Sequence, residues 1–179
     1  MEYWDIYDID RNRTGRTVAR GPYLEPGDYH IVVHVCLFNA DGEMLIQQRQ
    51  PFKQGWPNLW DFTLGGSAVQ GEDSRTAAQR ELLEELGLDR DFSEKRAHFT
   101  FNFERGFDDF YFLEEDVQIE MIKLQQEEVQ AVKWASREEI LEMIDAGTFI
   151  PYYPSLVNLI FESRHQRGCH TREKRKEEQ

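Results

Sequence analysis

The stretch Gly65 to Leu88, GGSAVQGEDSRTAAQRELLEELGL, constrains this chain more than any other. Asp73 and Ser74 are strong helix N-cap residues and Gly87 suits the left-handed residue beyond a C-terminus, so the spacing predicts a helix over 74–86. At about 100° per residue, Glu81, Glu84 and Glu85 fall on one side, while Ala78, Leu82, Leu83 and Leu86 are expected on the other, toward a core. Like charges three and four apart cost an isolated helix a few tenths of a kcal/mol per pair. A divalent cation relieves that repulsion, and hard ions such as Mg²⁺ or Mn²⁺ take oxygen ligands while leaving positions open for water and phosphate oxygens. Glu-x-x-Glu-Glu alone describes many solvated helix faces; only the whole stretch changes that weighing.

The order Gly66, five residues, Glu72, seven residues, then Arg80-Glu81-Leu82-Leu83-Glu84-Glu85-Leu86-Gly87-Leu88 fills every fixed position of a known pattern. It resembles the signature of the Nudix hydrolases. The resemblance implies a mixed-sheet α/β/α sandwich over roughly residues 29–162 and a loop-helix-loop that binds Mg²⁺ or Mn²⁺. It also implies cleavage of a nucleoside diphosphate linked to another group. Carried over by position, Glu81, Glu84 and Glu85 are the expected metal ligands, with the carbonyl of Gly65, and Glu84 is expected to be catalytic. Arg80 is expected to orient a carboxylate, with Glu72 as its partner. The signature does not specify the general base; Glu128 is the candidate taken forward, with Glu127, Asp108 and Asp109 as alternatives.

A second likeness is narrower. The segment YHIVVHVCLFNADGEMLIQQRQPFKQGWPNLW is similar to the opening of the isopentenyl-diphosphate isomerase-like Nudix proteins. It puts Arg49 and Lys53 where that branch binds a diphosphate, whereas the isomerase Cys and His positions are Gly65 and Ser67, and His30 alone is kept. Val69 stands where many Nudix hydrolases carry Glu. The expected activity is therefore metal-dependent hydrolysis of a diphosphate linkage in a small nucleotide-type metabolite. An isoprenoid diphosphate isomerase and a non-catalytic nucleotide-sensing module are the alternatives.

Length and composition bound the rest. With 179 residues, 40% of them hydrophobic, one domain over 1–163 is expected, followed by a charged tail, 164–179, without periodicity or order. A net charge of −13 argues against nucleic acid or an anionic membrane as partner and requires metal or a local basic patch for an anionic substrate. No apolar run reaches the ~18 residues of a membrane span and the N-terminus lacks a signal-peptide pattern, so a cytoplasmic protein is expected. Cys36 and Cys169 lie in an apolar run and a polar tail, a poor pair for a disulfide. A homodimer is left open.

In chain order, residues 1–28 read as a β-hairpin with a turn at 10–15 and a connection through Pro22, Pro26 and Gly27. Tyr29 to Asn39 reads as a central strand on which His30 and His34 share a face, as core or pocket residues rather than metal ligands. Met44 to Gln48 returns after an Asp41-Gly42 turn, Trp56 or Trp60 is a candidate pocket wall, and Asp61 to Leu64 is expected as one strand into Gly65. Phe99, Phe101 and Phe103 alternate on a strand and are expected to face the core. Strand 129–134, a helix from Arg137 behind a Ser136-x-x-Glu139 capping box, and a last apolar helix over 155–162 complete the reading.

Overall fold

A computed structural model describes residues 1–21, 23–165 and 168–170. Pro22 and the tail residues 166–167 and 171–179, for which disorder was expected, lie outside the described residues. Two strands, β1 (Tyr3–Tyr7) and β2 (Arg13–Ala19), form the N-terminal hairpin. The main sheet comprises β3 (His30–Phe38), β4 (Met44–Arg49), β5 (Trp60–Asp61), β6 (Leu64–Ser67), β7 (Phe99–Phe103), β8 (Gly106–Glu114) and β9 (Val129–Ala135). Its helices are α1 (Ser74–Leu86), α2 (Arg137–Asp145) and α3 (Pro154–Ser163).

Strand β3 is the axis because its alternating side chains are apolar on both faces. Ile31, Val33, Val35 and Leu37 face α1, where Ala77, Ala78, Leu82 and Leu86 complete one core. Cys36 and Phe38 face the other way, toward Ile140 of α2 and Val157, Ile160 and Phe161 of α3. Two helical layers thus cover one sheet, the sandwich that the resemblance implied. Its mixed character comes from β8, which runs parallel to β3 in register from His30↔Gly106 to Phe38↔Glu114, while β7 pairs antiparallel to β8.

The sheet opens between β3 and β4. β3 touches β4 only at Phe38↔Met44 and then pairs with β6, Val32↔Ser67 through Val35↔Leu64. Asp61 to Leu64 is not the single strand expected: β5 ends at Asp61, Phe62 and Thr63 bend, and β6 begins at Leu64. Thr63 explains the bend. Its buried hydroxyl accepts the Leu37 N–H at 2.9 Å and donates to the Leu45 carbonyl, bridging the two strands where they part.

Three further expectations are corrected. Leu83 is 46% exposed rather than core, and Ala77 takes the inward place, because the apolar stripe of α1 is narrower than the helical wheel allows. Phe101 is 43% exposed and Phe99 and Phe103 are half-buried, since β7 is an edge strand whose aromatic face meets only part of a helix layer. The Ser136 hydroxyl caps the Glu139 N–H at 3.1 Å, but the Glu139 carboxylate turns to Lys133, so the capping box is half made.

Gly106 begins β8 against His30, and a Cβ there would lie 2.1 Å from the His30 carbonyl oxygen, which is backbone and cannot yield cheaply. Gly106→Ala is expected to destabilise the protein by about 1–3 kcal/mol through overpacking. A urea unfolding midpoint equal to that of the unsubstituted chain would contradict this close approach.

Candidate active site

The glycine-rich approach and α1 build the site together. The Asp73 carboxylate accepts the N–H groups of Arg75 and Thr76 at 3.1 and 2.9 Å, and Gly87 closes the helix in the left-handed region at φ 69°. β6 then runs beside the helix, and Gly66 lies against Glu81: a Cβ there would come within 2.4 Å of the Glu81 carboxyl carbon. Any side chain at 66 displaces that carboxylate.

Arg80 is the hub. Its Nε and Nη2 grip both oxygens of Glu72 at 2.7 and 3.0 Å, its Nη1 reaches Glu81 at 3.1 Å and Glu84 at 3.0 Å, and Nη2 also donates to the Ser67 carbonyl at 3.2 Å. Glu72 in turn accepts the Val69 N–H at 3.0 Å, which fixes the loop. The two-pronged grip needs a planar guanidinium. Arg80→Lys is therefore expected to behave nearly as Arg80→Ala, each lowering turnover by about 10- to 100-fold, as for residues that orient ligands. Full rescue by Lys in a steady-state assay would show that only the charge matters.

Glu85 is 5% exposed and receives the Gln47 amide N–H at 3.0 Å. Burial first, then the neighbouring Glu81 charge, pushes its carboxyl up to about 8. Glu81 is also raised, by burial, against the lowering effect of Arg80. The buried Gln47 Oε1 has no partner among the described residues. A buried and a half-buried carboxylate beside an unpartnered amide oxygen make an all-oxygen donor set short of positive charge, and it suits Mg²⁺ or Mn²⁺. Among the described residues no three His, Cys, Asp or Glu side chains are already gathered to hold an ion, because Glu84 turns outward to Arg80.

A cleft of about 460 Å³ adjoins this cluster, lined by Gly65, Gly66, Ser67, Arg49, His34 and Asp108, among others. Arg49 lines the cleft, its Nε donating to the Gly55 carbonyl at 3.0 Å. Trp56 is the tryptophan that lines the cleft, half exposed and held at φ 51°. Lys53 does not line it; its ammonium pairs with Glu128. Of the other base candidates, Asp108 lines the cleft 3.6 Å from His34, and Glu127 is exposed. Asp109 lies on the opposite face of β8, buried and paired with Arg11. His30 is not in this cleft. It stacks on Trp4 of the hairpin, centroids 4.1 Å apart, and burial lowers it to about 4.

Sequence reasoning missed Arg20, Asp61, Tyr152 and Gln47. The first three reach the cleft from the hairpin, from β5 and from the segment before α3, and a pattern confined to one stretch carries no signal for them. Tyr152 donates to Asp61 at 2.9 Å, and burial raises its phenol well above the ordinary range. Gln47 opens the polar half of β4, MLIQQR, so its burial had no signal in the sequence.

Residues 28–154 match the NUDIX domain. A crystal structure from Deinococcus radiodurans superimposes with a TM-score of 0.73 at 26% identity, over 88% of this chain and 98% of that one. An isopentenyl-diphosphate Delta-isomerase of Nocardia farcinica is 38% identical over 81 residues, 43% of this chain and 46% of its own. The likeness to an uncharacterised Nudix hydrolase of Listeria monocytogenes is far more extensive, 45% identity over 170 residues, covering 95% of this chain and 99% of that protein. Domain match, fold and near full-length identity agree with the signature read from Gly66 to Leu88, and the chain belongs to the Nudix hydrolase family.

Proposed function

We propose that this protein is a divalent-metal-dependent pyrophosphohydrolase that cleaves a diphosphate linkage in a small nucleotide-type metabolite. The observation that carries the reading is the buried Glu85 beside the half-buried Glu81, both raised by burial, with Glu81 set against the backbone of Gly66 beside a cleft with an arginine. Glu81, Glu84, Glu85 and the Gly65 carbonyl would hold the metal. Bound there, Mg²⁺ or Mn²⁺ supplies neutralisation of phosphate charge and an acidified water.

The protein's own groups do the rest. Arg80, clamped by Glu72, positions Glu81, and Glu84 would serve as a ligand by exchanging its bond to Arg80 Nη1. Arg49 receives a phosphate oxygen with its free guanidinium nitrogens, and Lys53 binds phosphate at the rim by exchanging its bond to Glu128. Glu128, freed by that exchange, takes the proton of the attacking water; Asp108, beside His34 in the cleft, is the second candidate. Trp56 offers a flat apolar face to a base or other ring.

Isomerisation of an isoprenoid diphosphate is the weaker reading, since Gly65 and Ser67 provide neither thiol nor imidazole. The test is release of phosphate or pyrophosphate from nucleoside di- and triphosphates, nucleotide sugars and dinucleotides with Mg²⁺ or Mn²⁺, comparing the native chain with Glu84→Gln. Metal-dependent turnover that collapses in the variant supports the reading. Metal-dependent binding without turnover across the panel favours a sensing module.

A further inference from the structure

A second cleft, of about 820 Å³, opens on the α1 side of the sheet, between the N-terminal hairpin, the first turn of α1 and the segment before β7. It shares no lining residue with the first cleft. Five cationic side chains line it: Arg11 and Arg13 from the hairpin, Arg75 from α1, and Lys95 and Arg96. In a chain of net charge −13 this is a local reversal of sign.

The two carboxylates on its wall are already engaged. Asp109 accepts from Arg11 Nη1 at 3.0 Å and from the Thr100 hydroxyl at 2.5 Å, Asp73 caps α1 and pairs with Arg75 at 3.4 Å, and Arg13 reaches Asp5 at 3.6 Å. Tyr7 accepts from Arg13 Nε at 2.9 Å, and Tyr111 shares a hydrogen bond with Ser74 at 2.7 Å. The side chains of Lys95 and Arg96, by contrast, make no ion pair or hydrogen bond among the described residues. Arg11, Arg13 and Arg75 are offset by those carboxylates, so the uncompensated charge is that of Lys95 and Arg96, adjacent like charges whose repulsion an anion relieves. Guanidinium forks match phosphate oxygens, and the volume falls within the ~300–1,000 Å³ of small-molecule sites.

We propose that this cleft is a second binding site, taking a small anion with two or more phosphate groups and holding it without metal. The absence of a metal requirement follows from the lining. The first cleft adjoins buried carboxylates and needs a cation before it accepts phosphate, whereas the second presents the positive charge itself.

The test is calorimetric titration of the full chain with inorganic pyrophosphate in EDTA, at two salt concentrations. Saturable binding is expected, weaker at higher salt and weakened at least about tenfold by Lys95→Gln with Arg96→Gln. Arg49→Ala, in the first cleft, is expected to leave it unchanged. Because neither substituted side chain makes a hydrogen bond or ion pair among the described residues, the fold should persist, which a melting curve checks; Arg96→Ala alone, at an exposed position, is the second variant and should weaken binding by a smaller factor in the same direction. No saturable binding to the native chain, binding that survives the double substitution, or loss in Arg49→Ala instead would overturn the proposal.

Discussion

Glu85→Gln is expected to lower metal-dependent turnover by about 10²- to 10⁴-fold while leaving the fold intact. With Glu85 in the proposed ligand set, losing its charge would remove several kcal/mol of stabilisation at the reacting phosphate, at about tenfold per 1.4 kcal/mol. The fold should survive because the amide has the carboxylate's shape and its oxygen still accepts the Gln47 N–H, which now bonds Glu85 at 3.0 Å. Glu81→Gln should lose activity comparably, since Glu81 is held between Arg80 and the Gly66 backbone. Measuring kcat against metal concentration separates the causes. A ligand substitution raises the metal concentration needed and lowers the plateau, whereas activity equal to the native chain at every concentration would remove Glu85 from the ligand set.

The metal-free protein is expected to lose stability as pH rises from about 4.5 toward 8, and Glu85→Gln is expected to flatten that loss. Glu85 titrates at 4.5 when exposed and is pushed up to about 8 in the fold. Between those values the folded state holds the extra proton. The stabilisation is complete below the lower value and is lost as pH rises through the upper, with a limiting slope of about 1.4 kcal/mol per pH unit. In a chain of this size that corresponds to about 3–6 °C of melting temperature per unit. His30 acts in the opposite sense. Burial depresses it from 6.5 to about 4, so its contribution is lost as pH falls through that window. Subtracting the variant's melting profile from the native one cancels His30 and isolates Glu85. Saturating Mg²⁺ or Mn²⁺ should flatten the native profile as well, because the cation displaces the proton. Superimposable metal-free profiles for the two chains would refute the assignment of this burial to Glu85.

Much of the site was legible in the residues because it is local. The bounds of α1 follow from Asp73 and Gly87, and the Arg80–Glu72 pair follows from a loop and helix only eight positions apart. β3 was legible because an apolar run of that length fits a strand covered on both faces. The misreadings occur where distant segments decide. Leu83 has an inward periodicity, but no layer covers it, and β7 carries alternating phenylalanines yet lies at the sheet edge.

The sequence by itself determined the family, the sandwich, the helix that carries the glutamates and the arginine that orients them, because capping, periodicity and a dense motif act within a few turns of chain. Only the tertiary structure decided that Glu85 is buried while Glu84 is exposed, and that Asp108 faces the first cleft while Asp109 turns to Arg11. It alone brought Arg20 and Tyr152 into one cleft and five cations into the other. Burial and field are sums over segments far apart in the chain, and adjacent residues on a strand point to opposite faces, so these outcomes depend on which layers the fold sets on either side.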